Sequence, residues 1–383
     1  MRLLGFFVLC LLFECQFNSF NASIQIGASQ IDNYISLLKG KRVAIVANQS
    51  SEVNGVHLVD TLISKNINIE IIFAPEHGFR GLSDAGSQIY DALDEKTGLT
   101  IYSLYGSSKK PSKKLLDSVD IMVFDLQDVG ARFYTYISTL HYVMEACAEN
   151  DIPLLVLDRP NPNGHYIDGP VLDSRLSSFV GMHPIPIVHG MTLAEYAKMI
   201  NGEFWLSDSI QCQLYCQKIK NYTHNMSYKL PVKPSPNLPN SQSISLYPSL
   251  CLFEGTDLSV GRGTQFQFQI LGSPFLDSCN FSFTPISRVG AIYPKHENKE
   301  CCGWDLQSCS FGNEINLTYL IDSFRQYASQ KRPFFNSFFD RLSGSSELRK
   351  QIELGWTANQ IKKTWADDLE DFKKVRQLYL LYP

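Results

Sequence analysis

The chain lacks the signatures of several common protein classes. No G-x-G-x-x-G follows its first apolar run, where Asn48-Gln49-Ser50-Ser51 stands instead, and no P-loop occurs elsewhere. Both absences argue against a nucleotide cofactor. Ten cysteines are present, but none form a paired C-x-x-C knuckle or sit near a His at finger spacing, which argues against a zinc site. There is no basic excess: the net charge is -4, with no Lys/Arg stripe, so nucleic acid is not an expected partner. Internal repeats, low-complexity tracts and a second long apolar span are also missing.

What is present is an ordinary globular composition, 44% apolar and 19% charged over 383 residues, enough for a large core and two domains. Met1-Arg2 precedes an apolar run over residues 3–13 and a polar stretch over 16–23. That order reads as a secretory signal over residues 1–22, too short for a spanning helix. The expected location is therefore periplasmic or extracellular. Lipid anchoring at Cys15 is a further option, although Glu14 stands where a small residue is wanted. In an oxidising compartment, a disulfide within residues 279–309 is the expected use of the clustered cysteines there.

Five apolar strand-like runs, at 42–47, 69–74, 99–104, 120–124 and 153–157, each end in a polar cluster. Helix-compatible stretches separate most of them, which predicts strand–helix units building a parallel sheet. Ligands of such sheets sit beyond the carboxyl ends of the strands. Further on, Thr192 and Glu195 form a capping box, as do Thr357 and Gln360. A helix following Ser345 ends near Gly355, and residues 369–381 carry a helical face spaced to pack on a sheet. Prolines 231, 234, 236 and 239 mark a junction, giving domains over 23–235 and 236–383.

The strand ends hold the candidate chemistry. Glu76 and His77 lie on a tight turn, and an acid beside apolar residues is placed for general-acid work. Asp125, Asp128, Arg132, Tyr134 and Tyr136 cluster after the fourth run. A guanidinium there can grip a carboxylate, and tyrosine faces suit sugars. Asp158 and Asn161 follow the fifth run on a proline-stiffened loop, and Arg262 sits in a Gly-rich segment. A metal held by His77, Asp125, Asp128 and His189 lacks supporting spacing, so neither metal nor cofactor is expected.

The strings Pro75-Glu76-His77-Gly78-Phe79-Arg80-Gly81, Phe124-Asp125-Leu126-Gln127-Asp128-Val129-Gly130-Ala131-Arg132-Phe133-Tyr134-Thr135-Tyr136 and Leu157-Asp158-Arg159-Pro160-Asn161-Pro162-Asn163-Gly164 resemble the NamZ-type exo-β-N-acetylmuramidases, glycoside hydrolase family 171. So do Pro234-Ser235-Pro236-Asn237-Leu238-Pro239, Glu254-Gly255-Thr256, Gly261-Arg262-Gly263-Thr264 and Tyr379-Leu380-Leu381-Tyr382-Pro383. The resemblance implies release of terminal β-1,4-linked N-acetylmuramic acid from the non-reducing ends of peptidoglycan fragments. It also implies a Rossmann-like α/β first domain, a smaller α/β second domain and an active-site cleft between them. On this reading Glu76 is the general acid, and Asp125 or Asp128 positions substrate or supports an oxocarbenium-like transition state. The substrate's acetamido group as nucleophile is equally open. Arg132 is the expected cation for the lactyl carboxylate, with Arg80, Arg159 and Arg262 behind it. The competing readings are a metal-dependent cell-wall amidase or deacetylase and a non-catalytic muropeptide-binding protein.

Overall fold

The computed structural model describes residues 23–79, 91–277 and 279–383. The expected leader, Cys15 and Arg80 lie outside the described residues. The first domain is built on a seven-stranded sheet: β1 Arg42–Ala47, β2 Asn68–Ala74, β3 Ala92–Leu93, β4 Thr100–Ser103, β5 Ile121–Asp125, β6 Leu154–Leu157 and β7 Leu214–Gln217. Their spatial order is β3-β4-β2-β1-β5-β6-β7. Every neighbouring pair is parallel except the short edge pair β3–β4. The five apolar runs are the five central strands.

Most of these strands read as continuous apolar runs because both faces of the sheet are covered there; β4, next to the edge, alternates half-buried and buried residues. Successive side chains alternate between the faces. Val43, Ile45 and Ala47 of β1 pack with Tyr34, Leu38, Leu58 and Leu62 on one side. Ala44 and Val46 face the other core, with Leu140, Val143 and Met144 of the helix Tyr136–Glu149.

The helix Leu193–Gly202 opens with the expected Thr192–Glu195 capping box, and Ala358–Lys363 with the Thr357–Gln360 box. Ser345 caps Ser346–Glu353. The proline-rich junction is pinned rather than loose: the Pro234 carbonyl accepts from the hydroxyls of Tyr134 (2.9 Å) and Tyr136 (3.3 Å). Pro248 lies inside the helix Ser241–Leu250 and cannot donate to the Ile244 carbonyl four residues back. Asn163 Nδ2 donates to that carbonyl instead, at 3.1 Å.

The second domain carries a three-stranded antiparallel sheet, β8 Ile270–Ser273, β9 Phe281–Phe283 and β10 Cys301–Asp305, in the order β8-β10-β9. A Cys279–Cys302 disulfide joins β10 to the segment leading into β9. Five helices follow, ending with Ala366–Gln377. That last helix departs from the expected run to residue 381. It stops at Gln377, and the residues after it pack on the helix Leu193–Gly202 rather than on a sheet. Tyr379 donates to Glu203 at 2.6 Å, and the Leu381 amide to Glu195 at 2.8 Å. Glu195 is fully buried, so its oxygens need these donors. The chain thus ends against the first domain.

Candidate active site

A cavity of about 910 Å³ opens between the two domains, near the upper end of the range for small-molecule sites. Glu76 and His77, just beyond β2, line it with Tyr105, just beyond β4. Phe133, Tyr134 and Thr135 enter from the start of the helix Tyr136–Glu149. The second domain supplies Tyr247, Glu254, Arg262, Phe268 and residues 290–295.

Local backbone geometry aims Glu76 into this space. His77 and Gly78 both adopt left-handed conformations (φ 71° and 75°), and the Gly78 amide donates to the Pro75 carbonyl at 3.0 Å. A non-glycine residue held there is costly and survives where the surroundings determine it. Thr135 Oγ1 donates to Glu76 Oε2 at 2.7 Å. Tyr105 also hydrogen-bonds Glu76. Burial, reinforced by that carboxylate, pushes the Tyr105 phenol above its usual value, so it stays protonated.

Glu254 is a second carboxylate on the cavity. Arg262 grips it through both arms, Nε to Oε1 at 2.6 Å and Nη2 to Oε2 at 3.1 Å, and lies 5.2 Å above the Phe268 ring. Phe133, Tyr134 and Phe268 surround Tyr247 edge-on at 5.3, 6.1 and 5.0 Å. Such a wall offers apolar faces with a few polar tips, the surface a sugar ring requires.

Of the expected site residues, Glu76, His77, Tyr134 and Arg262 line the cavity. Asp125, Asp128, Arg132, Tyr136, Asp158 and Asn161 do not: they are buried away from it, and most of their polar atoms are taken by other parts of the chain. Asp125 is fully buried in a bidentate pair with Arg159 (2.6 and 2.9 Å). Asp158 accepts from Thr192 Oγ1, the Ala194 amide and Tyr382. Asn161 Nδ2 donates to the Met191 carbonyl, and Tyr136 accepts from Asn48 Nδ2.

Arg132 is the main correction. It is fully buried, and its guanidinium donates to the carbonyls of Pro170, Ile185, Leu342 and Ser343. Burial acts against its charge and lowers its pKa. It ties the two domains together and has no face on the cavity.

Asp128 is buried beside His189, with 3.8 Å between Oδ2 and Nε2. Its Oδ2 accepts from the Gly130 amide at 2.6 Å, and Oδ1 has no partner among the described residues. Burial pushes Asp128 up to about 7 and His189 down to about 3. Among the described residues, no group of three or more His, Cys, Asp or Glu side chains is arranged to hold a metal ion.

The cavity also contains residues that sequence reasoning did not single out. Tyr105, Thr135 and Glu254 were within reach, since each sits in a strand-end or Gly-rich string. Lys109, Tyr293 and Lys295 come from loops without local signal. Lys295 donates to the carbonyls of Thr256 (2.5 Å) and Leu258 (3.0 Å), and Lys109 lies 5.0 Å above the Phe179 ring.

Two family descriptions cover this architecture almost end to end. The exo-β-N-acetylmuramidase NamZ N-terminal domain matches residues 43–242, and its C-terminal domain matches residues 245–382. The chain belongs to the NamZ family. The peptidoglycan β-N-acetylmuramidase NamZ of Bacillus subtilis (strain 168) is 38% identical over 374 residues, covering 92% of this chain and 89% of that protein. Two crystal structures of DUF1343 family proteins from Bacteroides fragilis NCTC 9343 share the fold. One has a TM-score of 0.88 at 48% identity, the other 0.81 at 28%, and each match covers 94% of this chain and 99% of its counterpart.

Proposed function

We infer that this chain is a glycoside hydrolase that releases terminal β-1,4-linked N-acetylmuramic acid from the non-reducing ends of peptidoglycan fragments. Membership of the NamZ family supports the reading. The observation that carries it to this chain is Glu76: a carboxyl at a strand end, held by Thr135 and Tyr105, facing a sugar-sized cavity walled by aromatic rings.

In the mechanism Glu76 donates its proton to the glycosidic oxygen as the bond to the terminal sugar breaks. Water then adds to the anomeric carbon, directly or after the substrate's own acetamido oxygen has attacked it, and gives its proton back to the Glu76 carboxylate. Thr135 and Tyr105 hold the carboxyl in place for that transfer. The aromatic wall packs the apolar face of the ring. Glu254 and Arg262, held as a bidentate pair on the opposite wall, offer the sugar hydroxyls a fixed acceptor and donor. Lys109 meets the lactyl carboxylate, the group that distinguishes muramic acid from glucosamine. Export of the protein is part of this proposal, supported by the Cys279–Cys302 disulfide and by the location of peptidoglycan outside the cytoplasm.

The test is product analysis on the disaccharide of N-acetylmuramic acid β-1,4-linked to N-acetylglucosamine, with and without EDTA. Release of both free sugars, undiminished by chelation, is expected. Liberated acetate or activity abolished by EDTA would favour the deacetylase reading instead. Glu76→Gln keeps shape but cannot deliver the proton, and general-acid catalysis contributes about 10²–10⁴-fold. Near-normal turnover by folded Glu76→Gln protein would remove Glu76 as the acid.

A further inference from the structure

Residues 284–300 form the connection between β9 and β10, and they combine stiffness with exposed apolar surface. The base is closed by strand pairing, Phe283 opposite Cys301, and by the Cys279–Cys302 disulfide. Along its length the loop is fastened to the cavity wall. The Ile286 amide donates to the Gly263 carbonyl at 3.0 Å, and Asn237 Nδ2 to the Gly290 carbonyl at 2.9 Å. Lys295 reaches the carbonyls of Thr256 and Leu258. Arg288 and Ala291 exchange backbone hydrogen bonds across a tight turn in which Gly290 has φ 90°.

A loop held at so many points would ordinarily turn its apolar side chains inward. Here Ile292 is 51% exposed and Tyr293 90%, and both line the mouth of the cavity. The exposed surface is therefore continuous with the candidate active site. Contiguous apolar surface on a fixed frame is what a binding platform requires.

We propose that Ile292 and Tyr293 form the subsite for the departing sugar, the N-acetylglucosamine ring that follows the terminal residue, with Tyr293 as its stacking surface. This rests on the muramidase reading. When the terminal sugar occupies the enclosed part of the cavity beside Glu76, the next ring must lie at the mouth. That ring is uncharged and has one apolar face, which matches an aromatic side chain. The nearby cation does not conflict with this, because the Lys295 ammonium is already directed to backbone carbonyls.

The test compares two substrates in the full-length chain. One is the muramic acid–glucosamine disaccharide. The other is the β-fluoride of N-acetylmuramic acid, whose leaving group has no ring. Tyr293→Ala should lower kcat/KM on the disaccharide roughly 3- to 10-fold, mainly through KM, the scale of one stacking contact. The fluoride should be hydrolysed as by the wild type. Val289→Ser, on the same loop but off the cavity lining, should leave both substrates within about twofold, since surface changes away from a site cost little. An unchanged disaccharide value for Tyr293→Ala, or equal losses on both substrates, would overturn the subsite. A wild-type chain inert towards both substrates would overturn the muramidase reading, and the subsite with it.

Discussion

Arg132 packs directly against Gly344 across the junction of the two domains: a Cβ on Gly344 would stand 2.3 Å from Arg132 Nη2. Gly344 has φ 72°, a conformation open to glycine at little cost, and it terminates the helix Phe339–Ser343. The same helix end offers the Leu342 and Ser343 carbonyls to the guanidinium. Arg132 is thus a structural cation whose placement depends on one glycine.

Arg132→Met should consequently destabilise the protein while leaving specificity alone. It takes the guanidinium from four buried carbonyls, of which Ile185 keeps the Leu172 amide at 3.1 Å and three are stranded, at about 1–3 kcal/mol for each that finds no other donor. The expected loss is at least about 3 kcal/mol in urea unfolding, with parallel losses on muramic and glucosamine substrates. Gly344→Ala should cost about 1–3 kcal/mol by strain and contact. A stable Arg132→Met protein with selective loss on the muramic substrate would return Arg132 to the site.

Asp128 predicts a pH dependence with a definite sign. Burial raises its pKa from the ordinary 3.8 to about 7, so the folded state retains a proton that the unfolded chain gives up. Its stabilising contribution is complete below about pH 4 and is lost as pH rises through about 7. The slope between those limits is about 1.4 kcal/mol per pH unit. Asp128→Asn cannot titrate and should gain on the wild type between pH 4.5 and 7.5 in urea unfolding. Parallel curves over that range would show that Asp128 is not held protonated.

The sheet was legible because burial on both faces writes apolar runs into β1, β5, β6 and the last four residues of β2, while β4 shows the half-buried alternation of a strand near the edge. The edge strand β7 escaped notice: it reads Leu-Tyr-Cys-Gln and is nowhere fully buried, so composition alone does not mark it. The capping boxes were legible because all their interactions lie within four residues. Site residues divide along the same line. Glu76, His77, Tyr134 and Arg262 could be found from strand-end and glycine-rich strings. Asp158 was misplaced because its partners Thr192, Ala194 and Tyr382 lie 34, 36 and 224 residues away. Strand-end position indicates where chemistry can occur, but not which polar groups later chain will cover.

The Cys279–Cys302 bond closes a loop with a sequence separation of 23. A crosslink of that span contributes about 3 kcal/mol, in the usual range for native bridges. The Cys279→Ala/Cys302→Ala double variant should unfold at correspondingly lower urea. Under denaturing, non-reducing conditions, thiol titration followed by peptide mapping should leave these two cysteines unlabelled and label Cys147, Cys212, Cys216, Cys251, Cys301 and Cys309. Labelling of Cys279 and Cys302 in that experiment would show that the bridge does not form.

Lys109 is the residue expected to set the preference for muramic acid. Among the described residues, three Lys or Arg side chains line the cavity, and two are committed: Arg262 to Glu254, and Lys295 to backbone carbonyls. Lys109 is held by an aromatic ring rather than by an acid. Its ammonium sits 5.0 Å above Phe179, which packs in turn against Tyr105 and Tyr142 at 5.9 and 6.3 Å. This support positions the charge without neutralising it. Lys109→Met keeps a stem over Phe179 and removes the ammonium. A charge-assisted hydrogen bond is worth about 1.5–3 kcal/mol, so kcat/KM on the muramic disaccharide should fall roughly 10- to 100-fold. The corresponding glucosamine disaccharide, without a lactyl carboxylate, should be hydrolysed as before. Added salt should weaken the wild-type preference and leave the variant unaffected, because a half-exposed ion pair is screened. Equal losses on the two disaccharides, or none on either, would remove Lys109 from carboxylate recognition and move the search to Arg80.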